Sequence, residues 1–104
     1  MYSLIFLNIY PKNKCNCVKW ARDHKPNLPF GLWTIGDKKK IINSHEPKIG
    51  AVAIMNVGLP FGHVGIVKDF KYRRITIREA NFKFCEITER IGTAEELKIL
   101  GYFV

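Results

Sequence analysis

From Lys48 onward the chain alternates short apolar runs with turn residues. The runs Gly50 to Val57, Gly62 to Asp69, Arg74 to Ala80, Phe84 to Arg90 and Leu97 to Val104 are rich in β-branched and aromatic residues. This pattern predicts strands of an antiparallel sheet. Upstream the period changes. Asn13 to His24 places Val18, Ala21 and Trp20 on one helical face, with Asn13 positioned as a cap and Pro26 as a stop. Between them, Lys25 to Pro47 carries Pro26, Pro29, Gly31 and Gly36. It reads as an irregular connection around a short helical turn near Leu32-Trp33, long enough to shape a cleft. Met1 to Tyr10 is apolar and reads as a first strand or helix. An early helix followed by an antiparallel sheet is an α+β arrangement.

Length and composition narrow the class further. One hundred and four residues can enclose one hydrophobic core but not two, so a single domain over residues 1–104 is expected. The balance of 47% hydrophobic and 25% charged residues is globular and argues against disorder. The N-terminal apolar stretch lacks the basic n-region and small-residue cleavage site of a signal peptide. No run approaches the ~20 apolar residues of a membrane span. Seventeen Lys and Arg against nine Asp and Glu give +8, a field that favours anionic partners.

Cys15, Cys17 and Cys85 are odd in number and lack disulfide-framework spacing, so at least one thiol should be free. Cys15, Cys17 and His24 or His63 make a poor zinc set. The one-residue gap is poor for a structural site and no second Cys or His pair lies at finger spacing. No metal and no other cofactor is expected.

Cys17 falls near the helix start, where the dipole and free backbone N–H groups favour a thiolate. His63 opens the run Gly62-His63-Val64-Gly65-Ile66-Val67, and Arg78-Glu79-Ala80-Asn81 follows it. A thiol needs a base to be a strong nucleophile near neutral pH, and that base needs a third group to hold its tautomer and orientation. If the hairpin turn centres on Phe70 to Tyr72, His63 lies opposite Glu79 or Asn81. All three are then odd positions on one sheet face. A slip of one residue would separate them. Singly, each residue has a bland explanation: a buried thiol, a satisfied core imidazole, a solvated carboxylate, a turn-forming amide. Together they point to cysteine-nucleophile hydrolysis.

The segments Asn16-Cys17-Val18-Lys19-Trp20-Ala21, Gly31-Leu32-Trp33, Pro47-Lys48-Ile49-Gly50-Ala51-Val52, Gly62-His63-Val64-Gly65-Ile66-Val67, Glu79-Ala80-Asn81 and Ile99-Leu100-Gly101-Tyr102 resemble the CHAP family of cysteine- and histidine-dependent amidohydrolases and peptidases. They do so in order, from Cys15 to Val104. The resemblance implies a papain-like fold of the NlpC-like superfamily, in which a helix presents the Cys to a sheet carrying the His. It implies hydrolysis of an amide bond in bacterial peptidoglycan, within the stem or cross-bridge peptide or between muramic acid and L-Ala. Cys17 would be the nucleophile, His63 the base and then acid, and Glu79 the orienting group, with Asn81 assisting or sharing that role. The backbone N–H of Cys17 would bind the oxyanion. Asn16 is a weaker donor on the substrate side, and Trp33 would line a groove.

The chain shows no appended wall-binding module and no Asp-x-Asp calcium loop. The first suggests that the net charge itself holds a monomeric enzyme near anionic wall polymers. The setting expected is a phage-encoded lysin or virion-associated enzyme, or a protein exported to the wall by an unread route. Cys15 is read by preference as a spare buried thiol, with a decoy or redox partner as alternatives. Cys85 is placed on a strand with no base. Two other functions compete: a papain-like amidase on a non-wall substrate, and a non-catalytic basic module for nucleic acid built on Lys38-Lys39-Lys40 and Arg73-Arg74. Scattered basic residues and the lack of any nucleic-acid motif argue against the last.

Overall fold

The computed structural model describes all 104 residues. The elements run β1 (Ser3–Leu7), α1 (Cys17–His24), α2 (Ile35–Lys39), β2 (Val52–Met55), β3 (His63–Lys71), β4 (Arg74–Ala80), β5 (Ile87–Gly92), α3 (Ala94–Leu97) and β6 (Ile99–Phe103). The six strands form one sheet in the order β1-β5-β4-β3-β2-β6, with every pairing antiparallel. The class is α+β, as the change of period predicts.

Several boundaries differ from the sequence reading, each for a local reason. The helix α1 starts at Cys17, because Asn16 is the cap: its Oδ1 accepts the Lys19 backbone N–H at 3.0 Å. Asn13, expected in that role, instead donates its side-chain amide to Asp23. The predicted last strand, Leu97 to Val104, begins only at Ile99. Thr93 and Glu96 form a capping box that starts α3, and Lys98 ends it in the left-handed region. Likewise Asn81 and Cys85 have φ of 64° and 57°, turning the chain so that β5 begins only at Ile87.

Each face of the sheet buries its own cluster. On one, Trp20 and Ala21 of α1 pack with Leu28 and Leu32 against Val52, Ile54, Val64, Ile66, Ala80 and Ile87. On the other, Ala53, Met55, Val67, Ile75 and Ile77 meet Leu97 and Tyr102. By strand alternation His63 and Glu79 belong to this second face, away from α1. Cys17 and His63 are the first residues of their elements, so they meet around the end of β3 rather than across the face of the sheet.

The β3–β4 hairpin differs from the predicted one in an instructive way. Its turn is Tyr72-Arg73, both left-handed (φ 54° and 65°), the conformation of a two-residue hairpin loop. Beside the turn Lys71 pairs with Arg74 and Asp69 with Thr76; beyond an irregularity at Lys68, Val67 pairs with Ile77 and Ile66 with Arg78. One extra residue on β3 is a β-bulge, and it restores the odd-with-odd pairing that puts His63 and Glu79 on one face. Two glycines set the spacing here. A Cβ on Gly65 would lie 2.4 Å from Ile77 Cγ2 and 3.2 Å from Glu79 Cβ, so Gly65 lets β4 close on the site. Gly62, at φ +76°, turns the chain into His63, and any Cβ there would meet Ile35 Cδ1 at 2.6 Å.

Candidate active site

Cys17 is half-buried at the first position of α1, and it is the free cysteine of the chain. First-turn N–H groups have no partner inside a helix. Asn16 takes that of Lys19, which leaves those of Cys17 and Val18 directed out of the helix end beside the sulfur. Burial alone would raise the thiol pKa. A hydrogen bond and the charge of His63, the Val64 backbone N–H and the charge of Lys38 outweigh it, so the net shift is downward, toward thiolate.

His63 Nε2 lies 2.9 Å from Glu79 Oε1. The other ring nitrogen, Nδ1, is the one left to act on Cys17. Burial disfavours the imidazolium, but hydrogen bonds and charge from Cys17 and Glu79 raise its pKa to about 9. Glu79 is fully buried. Burial pushes its pKa up, but hydrogen bonds from Arg90 and His63 and their charges bring it below the ordinary carboxylate value. Arg90 grips it twice, Nε to Oε2 at 2.7 Å and Nη2 to Oε1 at 2.8 Å, and Thr88 Oγ1 donates to Oε2 at 3.3 Å. The carboxylate thus has no freedom to turn from the ring. Arg90, only 1% exposed, stacks on Phe82 with its guanidinium carbon 3.6 Å from the ring centroid. Phe82 in turn lies 5.8 Å from the His63 ring.

Asn81 does not share the orienting role expected of it. Its Oδ1 accepts the Cys85 backbone N–H at 2.7 Å, and its own N–H bonds Glu86 O. In the left-handed region the Asn side chain does what it does well in turns: it closes a loop onto itself. That loop carries the main correction to the cysteine reading. Cys15 is not a spare thiol; it forms a disulfide with Cys85 across 70 residues of sequence. The bond ties the chain entering α1 to the loop after β4, and so fixes the thiol-bearing helix start relative to the hairpin carrying His63 and Glu79.

These groups open on a cleft of about 560 Å³ lined by Asn16, Cys17, Lys19, Arg22, Phe30, Trp33, Lys38, Phe61, His63, Asn81 and Phe82 among others, with no Asp or Glu in its walls. The irregular connection between α1 and β2 does shape it. Trp33, 78% exposed, and Phe30, 82% exposed, stand on one rim, and Arg22 lies over the Phe30 ring. Asn16 is at the wall, but its carboxamide oxygen is committed to the helix cap. Lys38, read as part of a solvated basic run, is instead 2% exposed; its ammonium donates to Leu32 O at 2.9 Å and Phe61 O at 2.8 Å. No three His, Cys, Asp or Glu side chains converge as a metal ligand set would require. Cys15 is consumed by the disulfide, and His24 stacks on Trp20.

Sequence reasoning missed Arg90, Thr88, Phe82 and Lys38. For Arg90 one signal was available: Thr88 and Arg90 share a face of a short strand, which asks for an acidic partner on the adjacent strand.

A family model described as "CHAP domain" matches residues 8–81. The chain belongs to the CHAP family. CHAP domains are hydrolases of the amidase and peptidase type, commonly acting on peptidoglycan. In this CHAP domain the matched segment ends at Asn81, so β5 with Arg90 and Cys85, and the closing Ile99-Leu100-Gly101-Tyr102, lie beyond it. A solved structure, "The crystal structure of Ly7917", is similar in fold, with 18% sequence identity and a TM-score of 0.50. The likeness covers 74% of this chain and 40% of that one, so this CHAP domain spans about two fifths of its length. No curated protein matches the chain. No helix is long and apolar enough to cross a membrane.

Proposed function

We propose that this CHAP domain hydrolyses an amide bond of bacterial peptidoglycan through a Cys17, His63 and Glu79 thiol mechanism, in the papain-like arrangement of a helix-borne thiol and a sheet-borne imidazole. The observation that carries this reading is the connected chain from Cys17 through His63 and Glu79 to Arg90, opening on a cleft without a carboxylate. The thiolate sulfur attacks the amide carbonyl carbon, and the oxygen that becomes negative accepts the free backbone N–H of Cys17. As the C–N bond breaks, the proton on His63 Nδ1 goes to the leaving amine, and a thioester remains on Cys17. Water then attacks the thioester, His63 takes its proton, and the C–S bond breaks to release the acid and return the thiolate beside the protonated His63. Glu79 holds Nε2–H throughout and balances the imidazolium; Arg90 holds Glu79.

The cleft supports a substrate that is anionic and has flat apolar faces. Lys19 and Arg22 line it without a competing acid, and Phe30, Trp33 and Phe61 offer exposed rings. Both stem peptides, with their free carboxylates, and anionic wall polymers fit that description. The disulfide supports action in an oxidising setting outside the cytosol, which accords with a phage-encoded lysin or virion-associated enzyme, or with an exported one.

The test is incubation with defined peptidoglycan and mass spectrometry of the released fragments, whose new amino termini identify the bond. Release by the wild type and its loss in Cys17→Ser and His63→Ala, both with normal melting curves, is the expected result. Intact glycan and peptide after long incubation, or full activity in the Cys17 variant, would refute it.

A further inference from the structure

Lys38 is a buried cation that the mechanism above does not use. Lysine is seldom buried without an anionic partner, because taking an ammonium out of water costs several kcal/mol (about) unless its charge is met. Here the side chain is 2% exposed. Its ammonium donates to Leu32 O at 2.9 Å, Phe61 O at 2.8 Å and, at 3.5 Å, Trp33 O. All three acceptors are neutral carbonyls, and no carboxylate forms an ion pair with it. The nearest acid along the chain, Asp37, is turned onto the Thr34 backbone N–H in the α2 capping box. Lys38 lines the same cleft as Cys17 and His63. It also holds both sides of that cleft, Leu32 and Trp33 on the aromatic rim and Phe61 in the segment that leads through Gly62 to His63.

We infer that Lys38 is a positioning residue for the nucleophile: a fixed positive charge whose missing counter-ion is the Cys17 thiolate, held in the cleft wall by three backbone carbonyls. This rests on the reading of Cys17 as the nucleophile. Burial lowers the Lys38 pKa while the negative charges of Cys17 and Asp37 raise it, and the Lys38 charge in turn favours the thiolate. The other charged groups of the cleft and of the network behind it are Lys19 and Arg22 on α1 and His63 on β3, backed by Glu79 on β4 and Arg90 on β5. His63 gives up its proton during turnover and Glu79 is neutralised by Arg90. Lys19 is exposed, where solvent screens it, and the half-buried Arg22 is turned onto Leu28 O and Pro29 O and lies over the Phe30 ring. Of the lysines and arginines lining the cleft, Lys38 alone is fully buried, and its charge persists through the cycle. It favours the thiolate over the thiol before attack and again when the thioester is released.

Because Cys15 and Cys85 are bonded to each other, Cys17 is the free thiol. The rate of its alkylation by iodoacetamide as a function of pH therefore reads its ionisation without any substrate. The comparison is wild type against Lys38→Met and Lys38→Gln, which remove the charge, and Lys38→Arg, which keeps it; Gln also keeps donors for the carbonyls. The expected result is an upward move of the alkylation midpoint by about one unit in both neutral variants, roughly tenfold less thiolate below it, and a midpoint restored in the Arg variant. An unmoved midpoint in folded neutral variants would overturn the inference. So would an equal move in Lys38→Arg, which would trace the effect to displaced loops, or neutral variants that fail to fold while Lys38→Arg folds, which would assign Lys38 to structure alone. Since no substrate enters, failure of this test leaves peptidoglycan hydrolysis standing, and failure to cleave peptidoglycan leaves this result standing.

Discussion

Opening the Cys15–Cys85 bond should weaken the fold and loosen the site together, and the size of the first effect follows from the chain length it closes. The cysteines are 70 residues apart, and constraining an unfolded loop of that length is worth about 4 kcal/mol in the chain-entropy account. Against the ~5–15 kcal/mol total of a typical domain, that is a large share. For a domain of this size each kcal/mol moves the midpoint by about 4–8 °C, so the melting temperature should fall by roughly 15–30 °C. Differential scanning calorimetry of the oxidised protein, of the protein in a phosphine reductant, and of the Cys15→Ala/Cys85→Ala double variant would measure it. The last two should agree, since both lack only the cross-link. Cys15 directly precedes the cap residue Asn16, and the Cys85 N–H is bound by Asn81. Below the transition, the alkylation midpoint of Cys17 should therefore move as well, because the helix start is no longer tied to the β4–β5 loop. A melting temperature within about 5 °C of the oxidised protein in both preparations would refute the reasoning.

Three further outcomes are expected. Arg90→Met should destabilise the protein by about 3–5 kcal/mol by leaving the buried Glu79 carboxylate with only His63 and the Thr88 hydroxyl, while Glu79→Gln should lower turnover with a smaller loss of stability; denaturant melts and turnover on a soluble stem peptide separate the two. If the active form pairs thiolate with imidazolium, kcat/KM should fall above a limb near pH 9, where His63 loses its proton, and Glu79→Gln should move that limb to lower pH. For stability the signs are opposite: the Glu79 contribution is present above its unfolded pKa and lost as pH falls through its lowered folded value, while the His63 contribution is full below its unfolded value and lost as pH rises toward about 9; chemical melts across pH check both. Reversing Lys39 and Lys40 to Glu should weaken whole-cell binding at low salt and leave cleavage of the soluble peptide unchanged, whereas including Lys38 should damage both, because it is buried in the cleft wall.

The parts of the site that the sequence discloses are those fixed by local pattern. A Cys at a helix start and a His opening an apolar strand follow from periodicity and turn chemistry, whereas the matching parity of Glu79 is reached from a turn placed too early and is secured in the fold by the bulge at Lys68. What stays hidden depends on contacts between distant residues. With three cysteines, any pair could bond, and only the meeting of the α1 entry with the β4–β5 loop selects Cys15 and Cys85. Lys38 and Arg90 are hidden by a sound general rule, that charges lie in water. It fails for Arg90 because Glu79 waits on the adjacent strand, and for Lys38 because three backbone carbonyls take its ammonium. Asn81 misleads for a different reason: Glu-x-Asn puts both residues on one strand face only while the strand continues, and at φ 64° Asn81 has already left it.

The bulge at Lys68 joins fold to chemistry most directly. A two-residue turn at Tyr72-Arg73 by itself pairs odd positions of β3 with even positions of β4, as Lys71 with Arg74 and Asp69 with Thr76 still do. Continued to the end of the strands, that register would set His63 on the face of Arg78 and Ala80, and Glu79 would point toward α1. The hydrophobic pattern alone does not forbid this, since Val64, Ile66, Ile75 and Ile77 offer apolar residues at both parities. The exposed extra residue Lys68 shifts the register by one step, so that Ile66 pairs with Arg78. His63 then shares a face with Glu79, within 2.9 Å. The turn chooses the hairpin, Gly65 lets its strands close, and the bulge decides which side of the sheet receives the carboxylate.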